Sequence, residues 1–235
     1  MPEQHENKHS SAGWLRILAA GVQAQRWLPE AVCVGGTAAA LYAGHRLSYN
    51  TDHLLPKLRD QFDEVRAMLE AHAEWKTARV TPPVLILGRI GGVEVGFRQR
   101  RRALPLETQT VATPVGPLVV PTLDELLCMK AFLAYTRRAT RDFLDFAALS
   151  EVLPEGEVLP SLLRLDGRYG ETQTASVALE AAKSLSACAP FDLNESELPA
   201  YKGLVRKWHV WETTRAICHR YGVSLGEALV RERRT

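Results

Sequence analysis

Residues 31–55 read AVCVGGTAAALYAGHRLSYNTDHLL, and this stretch decides the fold. Ala31 to Val34 is short, apolar and partly β-branched, which predicts a strand. Gly35-Gly36 then ends the strand, and the helix-favouring run Thr37 to Ala43 follows at once. A second strand is predicted from Tyr49 to Leu55. The order of strand, glycine turn, helix and strand indicates an α/β unit with a tight turn at a helix N-terminus.

The sequence on either side extends this unit. Trp14 to Leu28 places apolar residues at helical spacing, and Lys57 to His72 reads as a charged amphipathic helix. From Trp75 to Val120 the pattern changes to short extended segments separated by proline and glycine, which predicts hairpins of a mixed sheet.

No strand is predicted beyond Pro121, where the pattern becomes helical. The sequence Thr-Leu-Asp-Glu from Thr122 has the form of a capping box at a helix start. We therefore expect an α+β fold with two domains. Residues 1–120 form a mixed β-sheet with helices, and residues 121–235 form an all-helical half.

Composition places the chain among soluble globular proteins. It has 235 residues, of which 46% are hydrophobic and 24% charged, which excludes collagenous, disordered and supercharged classes. The N-terminus is polar and no apolar run approaches the roughly 20 residues of a membrane span, so we expect a cytoplasmic protein without a membrane partner. The four cysteines are widely spaced, which favours buried thiols over a zinc site or disulfides.

Positive charge is concentrated in clusters. One cluster comprises Arg98, Arg100, Arg101 and Arg102, and another comprises Lys130, Arg137, Arg138 and Arg141. Each cluster alone is typical of solvated surface charge. Together with a third cluster, the basic tail of residues 201–235, they make nucleic acid or nucleotide phosphate as good an explanation as solvated charge, because phosphate contacts come mainly from arginine and lysine.

Two strands carry candidate acidic or metal-binding residues. Asn50 and Asp52 share one face of their strand because side chains alternate. Glu94 interrupts the apolar strand Val93 to Phe97, and either a metal ion or a solvated strand face explains it. A helix N-terminus holds phosphate oxygens, while strand carboxylates hold Mg²⁺ against the same phosphates. This combination indicates phosphoryl or nucleotidyl transfer.

The motifs resemble a known family. Gly35-Gly36-Thr37, the run Gly44 to Ser48 and Thr51-Asp52-His53 are similar to motifs of the minimal nucleotidyltransferases in the AbiEii/AbiGii toxin family, which are related to the MenT toxins. The segments Lys130 to Leu133 and Arg141 to Asp145 resemble the later Lys and Arg-Asp motifs of that family. The resemblance covers most of the chain, from Val32 to Tyr221.

The resemblance implies a Mg²⁺-dependent nucleotidyltransferase toxin of a toxin–antitoxin or phage-defence pair. Such a toxin transfers a nucleoside monophosphate from an NTP to RNA, with the 3′ end of tRNA as the implied acceptor and a cognate antitoxin as partner. Carried over by position, the NTP-binding residues are Gly35, Gly36, Thr37, Ser48 and Lys130. The implied metal ligands are Asn50, Asp52 and Glu94, and the implied catalytic residues are Asp52, Lys130, Asp142 and Asp145. The RNA contacts are assigned to Arg98, Arg100, Arg101, Arg102, Arg137 and Arg138.

Asn50 departs from this pattern, because the family has an acidic residue there. An asparagine offers a carbonyl oxygen to Mg²⁺ but no charge, which weakens a two-metal site. Three explanations for Asn50 remain open: natural tolerance with a single metal ion, a degenerate binding site, or an engineered substitution. A catalytically impaired nucleotide- or antitoxin-binding module is therefore one alternative function, and a small-molecule nucleotidyltransferase is another. The arginine clusters argue against a cationic acceptor such as an aminoglycoside.

The assignments in the helical half also have plainer alternatives. Lys130 is either an exposed helix residue or a residue that emerges at the edge of a cleft. Arg141 and Asp145 lie four residues apart and are spaced for an ordinary ion pair on one helix.

Overall fold

The computed structural model describes residues 12–232, so most of the polar leader lies outside it. The chain divides into two compact units, residues 1–121 and 122–235. The first contains a mixed sheet with helices, and the second is helical, which confirms the predicted fold class. Within the described residues, no helix has the length and apolar character needed to cross a membrane.

The first unit follows the predicted order of elements. Its helices and strands are α1 (Ala12–Trp27), β1 (Val32–Val34), α2 (Gly35–Ala43), β2 (Asn50–Leu55), α3 (Phe62–Glu70), β3 (Trp75–Thr81), β4 (Leu85–Ile90), β5 (Val93–Gln99), β6 (Thr108–Thr113) and β7 (Gly116–Pro121). Helix α3 is shorter than the predicted run from Lys57 to His72. The difference at its start is a turn in which the N–H groups of Asp60 and Gln61 both donate to the Lys57 carbonyl.

Five strands form one sheet in the order β1-β2-β5-β4-β3, and β6 pairs with β7 separately. Strands β2 and β5 are parallel, whereas the other neighbours are antiparallel. One face of the sheet is buried, and its Val95 and Phe97 pack in a core with Ala24 of α1 and Leu69 of α3. The other face is therefore the one on which polar side chains of β2 and β5 can project.

The second unit is built from helices. They are α4 (Leu123–Thr136), α5 (Thr140–Val152), α6 (Glu155–Leu163), α7 (Leu165–Tyr169), α8 (Val177–Ala187) and α9 (Trp211–Glu232), with short 3₁₀ turns between α7 and α8 and between α8 and α9. The Thr122 hydroxyl accepts a hydrogen bond from the N–H of Glu125, as the capping sequence predicts. The four cysteines are buried free thiols, also as predicted.

Candidate active site

The parallel pairing of β2 with β5 gathers the polar residues of both strands on one face. Asn50 lies opposite Glu94, and Asp52 lies opposite Gly96. Paired residues of neighbouring strands point to the same side of a sheet, and side chains alternate along each strand. Asn50, Asp52, Glu94 and Arg98 therefore share the face opposite the core, as was predicted for Asn50 and Asp52.

The Asp52 carboxylate is held from two sides. The Asn50 amide donates a hydrogen bond of 2.9 Å to Asp52 Oδ2, and Arg98 Nε lies 3.4 Å from Asp52 Oδ1. A glycine at position 96 makes room for the carboxylate, because a Cβ there would lie 2.8 Å from Asp52 Oδ1. The carboxylate is thus fixed against β5 while its side chain stays partly exposed to solvent.

The glycine turn brings the start of α2 to this carboxylate. Val34 pairs with Asp52, and the next residue, Gly35, begins α2 with a φ of 70°. A Cβ on Gly35 would lie 3.5 Å from Asp52 Oδ2. Within the part of the chain that the structure describes, no side chain caps the N-terminus of α2. Its N–H groups and positive dipole end are therefore suited to an anion beside Asp52.

Thr37 and Ser48 both anchor the start of β2. The Thr37 hydroxyl donates to the Asn50 carbonyl at 2.6 Å, and the Ser48 hydroxyl donates to the same oxygen at 2.9 Å. These bonds fasten α2 and the loop before β2 to the residue that hydrogen-bonds Asp52. Contact of either hydroxyl with a triphosphate stays a prediction.

Arg46 is a site residue that the sequence reasoning missed. Its side chain is only 4% exposed, and a Cβ on Gly36 would lie 2.7 Å from one of its terminal nitrogens. The guanidinium also donates to the Leu47 carbonyl at 3.1 Å. Gly36 is needed for this close approach, and Arg46 adds positive charge at the start of α2. The run Gly44 to Ser48 contained the signal, but only the fold shows where the side chain lies.

Glu94 occupies the predicted face but contacts a different residue. Its carboxylate lies 3.5 Å from a terminal nitrogen of Arg89 on β4, and its side chain is 67% exposed. Such an exposed ion pair contributes about 0 to 1 kcal/mol, so it does not hold Glu94 firmly. To bind a metal ion as a third ligand, Glu94 would have to break its ion pair with Arg89.

The donor atoms fit one Mg²⁺ better than two. Among the described residues, no three His, Cys, Asp or Glu side chains are grouped as metal ligands. Asp52 supplies a carboxylate, and Asn50 supplies an amide oxygen once its amide turns away from Asp52. Mg²⁺ is commonly bound by one or two carboxylates together with substrate phosphates and water, so a single ion suits this pair.

His53 lies on the opposite side of β2, inside the core. It is fully buried and packs against Phe97 with ring centroids 5.4 Å apart. Burial lowers the pKa of His53 to about 4, although the charge of Asp52 acts in the opposite direction. His53 is therefore neutral near pH 7 and supports the strand that carries Asp52.

A cavity of about 370 Å³ lies beside α1, the loop before β2 and the turn between β4 and β5, and its lining does not include Asn50, Asp52 or Glu94. Its lining includes Trp14, Arg16, Ser48, Tyr49 and Gly92. Ser48, which lines the cavity, also donates its hydroxyl to the Asn50 carbonyl, and the Tyr49 side chain is largely exposed.

The remaining predicted catalytic residues meet in the second unit. Lys130 Nζ lies 2.7 Å from Asp145 Oδ2 and 3.5 Å from Asp142 Oδ1. Lys130 is only 3% exposed, so its expected position at a surface or a cleft edge is corrected. A lysine enters the interior here because two carboxylates of α5 compensate its charge. Asp142 is also buried, and neither of its carboxylate oxygens has a hydrogen-bond partner among the residues that the structure describes.

The predicted RNA-binding arginines separate into different environments. Arg98 lies at Asp52, whereas Arg100 donates to the carbonyls of Arg102 and Ala103. Arg102 donates to the carbonyls of Leu104 and Pro105 and is 6% exposed. The Arg102 guanidinium is thus used to fold the loop, and its contact with RNA stays a prediction.

Other arginines keep the exposure that an RNA contact needs. Arg101, Arg137 and Arg138 are exposed, and Arg138 also donates to the Ala189 carbonyl. Their contact with RNA stays a prediction.

Comparison with solved structures identifies the fold. The chain resembles the antibiotic-resistance factor ANT(2'')-Ia with a TM-score of 0.50 and 13% identity, over 67% of this chain and 93% of that one. It also resembles an antigenic nucleotidyltransferase-like protein from Paracoccidioides brasiliensis, with a TM-score of 0.46 and 16% identity over 70% of this chain and 91% of that one. The first of these likenesses, at a TM-score of 0.50, shows the fold alone, and that fold is nucleotidyltransferase-like, as predicted.

Sequence comparison adds a partial similarity. No family model matches the chain. A segment of 144 residues is 31% identical to the heme uptake protein MmpL11 of Mycobacterium tuberculosis and to MmpL11 of Mycobacterium bovis. The match covers 58% of this chain, which spans only 14% of the length of these curated relatives.

Proposed function

We propose that this protein is a Mg²⁺-dependent nucleotidyltransferase that transfers a nucleoside monophosphate from an NTP to a hydroxyl group of RNA. The observation that carries the proposal is Asp52, fixed beside the uncapped N-terminus of α2 in a nucleotidyltransferase-like fold. A carboxylate able to bind Mg²⁺ beside a helix start suited to phosphate supports this reaction.

Each residue has a definite part in the proposed reaction. The N–H groups at the start of α2 bind phosphate oxygens of the NTP, and Arg46 adds positive charge there. Asp52 and Asn50 would hold Mg²⁺, which would neutralise phosphate charge and lower the pKa of the attacking hydroxyl. The acceptor oxygen forms a bond to the α-phosphorus, the bond to the bridging oxygen breaks, pyrophosphate leaves and the hydroxyl proton passes to solvent.

The acceptor proposed is RNA, with the 3′ end of tRNA as its specific form. The resemblance to the AbiEii/AbiGii family supports this choice, and so do the exposed Arg101, Arg137 and Arg138. The same resemblance supports a role as the toxin of a toxin–antitoxin or phage-defence pair, neutralised by a cognate antitoxin. A cytoplasmic location fits this role.

A second candidate function is a nucleotide- or antitoxin-binding module without turnover. The hydrogen bond from Asn50 to Asp52 favours it, because an amide stands where a second carboxylate would add metal affinity. A small-molecule nucleotidyltransferase has the same metal requirements, and a panel of aminoglycoside acceptors tests it beside RNA.

The test is incubation of the protein with total tRNA, Mg²⁺ and each α-labelled NTP in turn. We expect label on tRNA with one NTP and its loss in Asp52→Ala. Asp60→Ala is the matched control, because Asp60 is an exposed aspartate away from the site. Absence of label with all four NTPs, together with a large gain in Asn50→Asp, means that the scaffold is competent and that only its metal site is impaired. Absence of label in both proteins refutes the transferase and favours the binding module without turnover.

A further inference from the structure

Arg98 extends from β5 across the candidate site to the Asp52 carboxylate. Its Nε lies 3.4 Å from Asp52 Oδ1, which is long for a charge-assisted hydrogen bond, and its side chain is 44% exposed. Among the described residues, its only hydrogen bond or ion pair is this one with Asp52. Two terminal amino groups are therefore left to donate to another partner.

The neighbouring arginines do not share this arrangement. Arg100 and Arg102 each donate twice to backbone carbonyls, so their guanidinium groups serve the loop after β5. Arg101 is exposed and lies beyond the end of β5. Position on the strand explains the difference, because Arg98 lies on the same sheet face as Asp52.

The negative charge of Asp52 also needs a positively charged group beside it. Asn50 contributes no charge, and Glu94 is paired with Arg89, so Arg98 is the described side chain that forms an ion pair with Asp52. A guanidinium presents a planar set of N–H donors that matches phosphate oxygens in pairs. The start of α2, which is suited to phosphate, lies on the other side of the same carboxylate.

We propose that Arg98 is a triphosphate-binding residue that exchanges partners when substrate arrives. Without nucleotide, Arg98 pairs with Asp52 and offsets its charge. With an NTP bound, the guanidinium donates to phosphate oxygens, and Asp52 is released for the cation. The inference rests on the proposed function for the class of ligand, a nucleoside triphosphate, and replaces the predicted RNA contact of Arg98.

The exchange predicts opposite effects on two binding equilibria. In Arg98→Gln, affinity for nucleoside triphosphates in EDTA should fall about 10- to 100-fold, since charge-assisted hydrogen bonds are lost. Affinity of the nucleotide-free protein for Mn²⁺ should rise, because the cation no longer competes with Arg98 for Asp52. Arg98→Lys should recover part of the triphosphate affinity, but not the paired geometry.

The experiment measures both equilibria, triphosphate by calorimetry and Mn²⁺ by electron paramagnetic resonance. Arg79→Gln is the matched control, an exposed arginine on β3 at the far edge of the sheet. Weaker triphosphate binding and tighter Mn²⁺ binding in Arg98→Gln alone support the exchange. Equal triphosphate affinity in Arg98→Gln and the control overturns it, as does a wild-type protein that binds no triphosphate.

These outcomes are separate from the test of the proposed function. A wild-type protein that labels tRNA while Arg98→Gln binds triphosphate normally leaves the transferase standing and removes the role of Arg98. A wild-type protein that binds triphosphate through Arg98 but transfers nothing keeps the role of Arg98 and removes the transferase.

Discussion

Replacing Lys130 with methionine should severely destabilise the second unit. Methionine has nearly the same shape but no charge, so the carboxylates of Asp142 and Asp145 lose the ammonium that lies 3.5 and 2.7 Å away. Both carboxylates are buried. Removing one partner of a buried ion pair costs about 3 to 5 kcal/mol, because an uncompensated charge remains. The free energy of unfolding of a whole domain is roughly 5 to 15 kcal/mol, so the variant loses much of its stability.

The assay is urea unfolding of wild type, Lys130→Met, Asp145→Asn and the double variant. Unfolding is followed by fluorescence of Trp208 and Trp211, which are buried in the second unit. Because Lys130 and Asp145 are in contact, the double variant should be more stable than the sum of the single losses predicts, by about 0.5 to 3 kcal/mol.

A loss below about 1 kcal/mol in Lys130→Met would refute this reasoning, because it would mean that the carboxylates do not depend on the ammonium. The same result would favour a role in substrate binding over one in stability. Stability must therefore be measured before any loss of transferase activity in this variant is attributed to catalysis.

Three further predictions concern the first unit and the RNA contact. The folded pKa of His53 is about 4, below its unfolded value near 6.5, so its contribution to stability is fully present above pH 6.5 and falls by about 3 kcal/mol towards pH 4. His53→Leu should flatten this part of the plot of unfolding free energy against pH. Equal slopes in the variant and the wild type would contradict the prediction. Gly96→Ala should push the Asp52 carboxylate aside and lower NTP turnover at least about tenfold with a modest loss of thermal stability, whereas Gly156→Ala, which meets open space, should change neither. Affinity for tRNA should fall steeply between about 50 and 200 mM salt and less steeply in Arg137→Gln, and a salt-independent affinity would exclude RNA as the acceptor.

The sequence predicted what depends on local pattern. The period of two along β2 placed Asn50 and Asp52 on one face, and the two glycines after β1 located the start of α2. It did not predict the contact of Arg98 with Asp52, because 46 residues separate them and the parallel register of β2 and β5 is not encoded in either strand alone.

The burial of charged side chains was the second feature that the sequence did not predict. Small neighbours gave only a weak hint about Lys130, since the compensating carboxylates belong to a different helix. Arg102 was grouped with its neighbours because adjacent charges look alike in sequence. Its hydrogen bonds to carbonyls two and three residues further on depend on the path of a loop, which charge patterning does not specify.

The parallel pairing of β2 with β5 also sets the order in which the site can assemble. Strands β3, β4 and β5 are joined as consecutive antiparallel neighbours, so their pairing is local and fast to form. Joining β2 to β5 closes a much longer loop, so we expect it to follow. During synthesis, Asp52 emerges from the ribosome long before Arg98 does. The nascent chain therefore carries its principal carboxylate without a completed centre until β5 has been made.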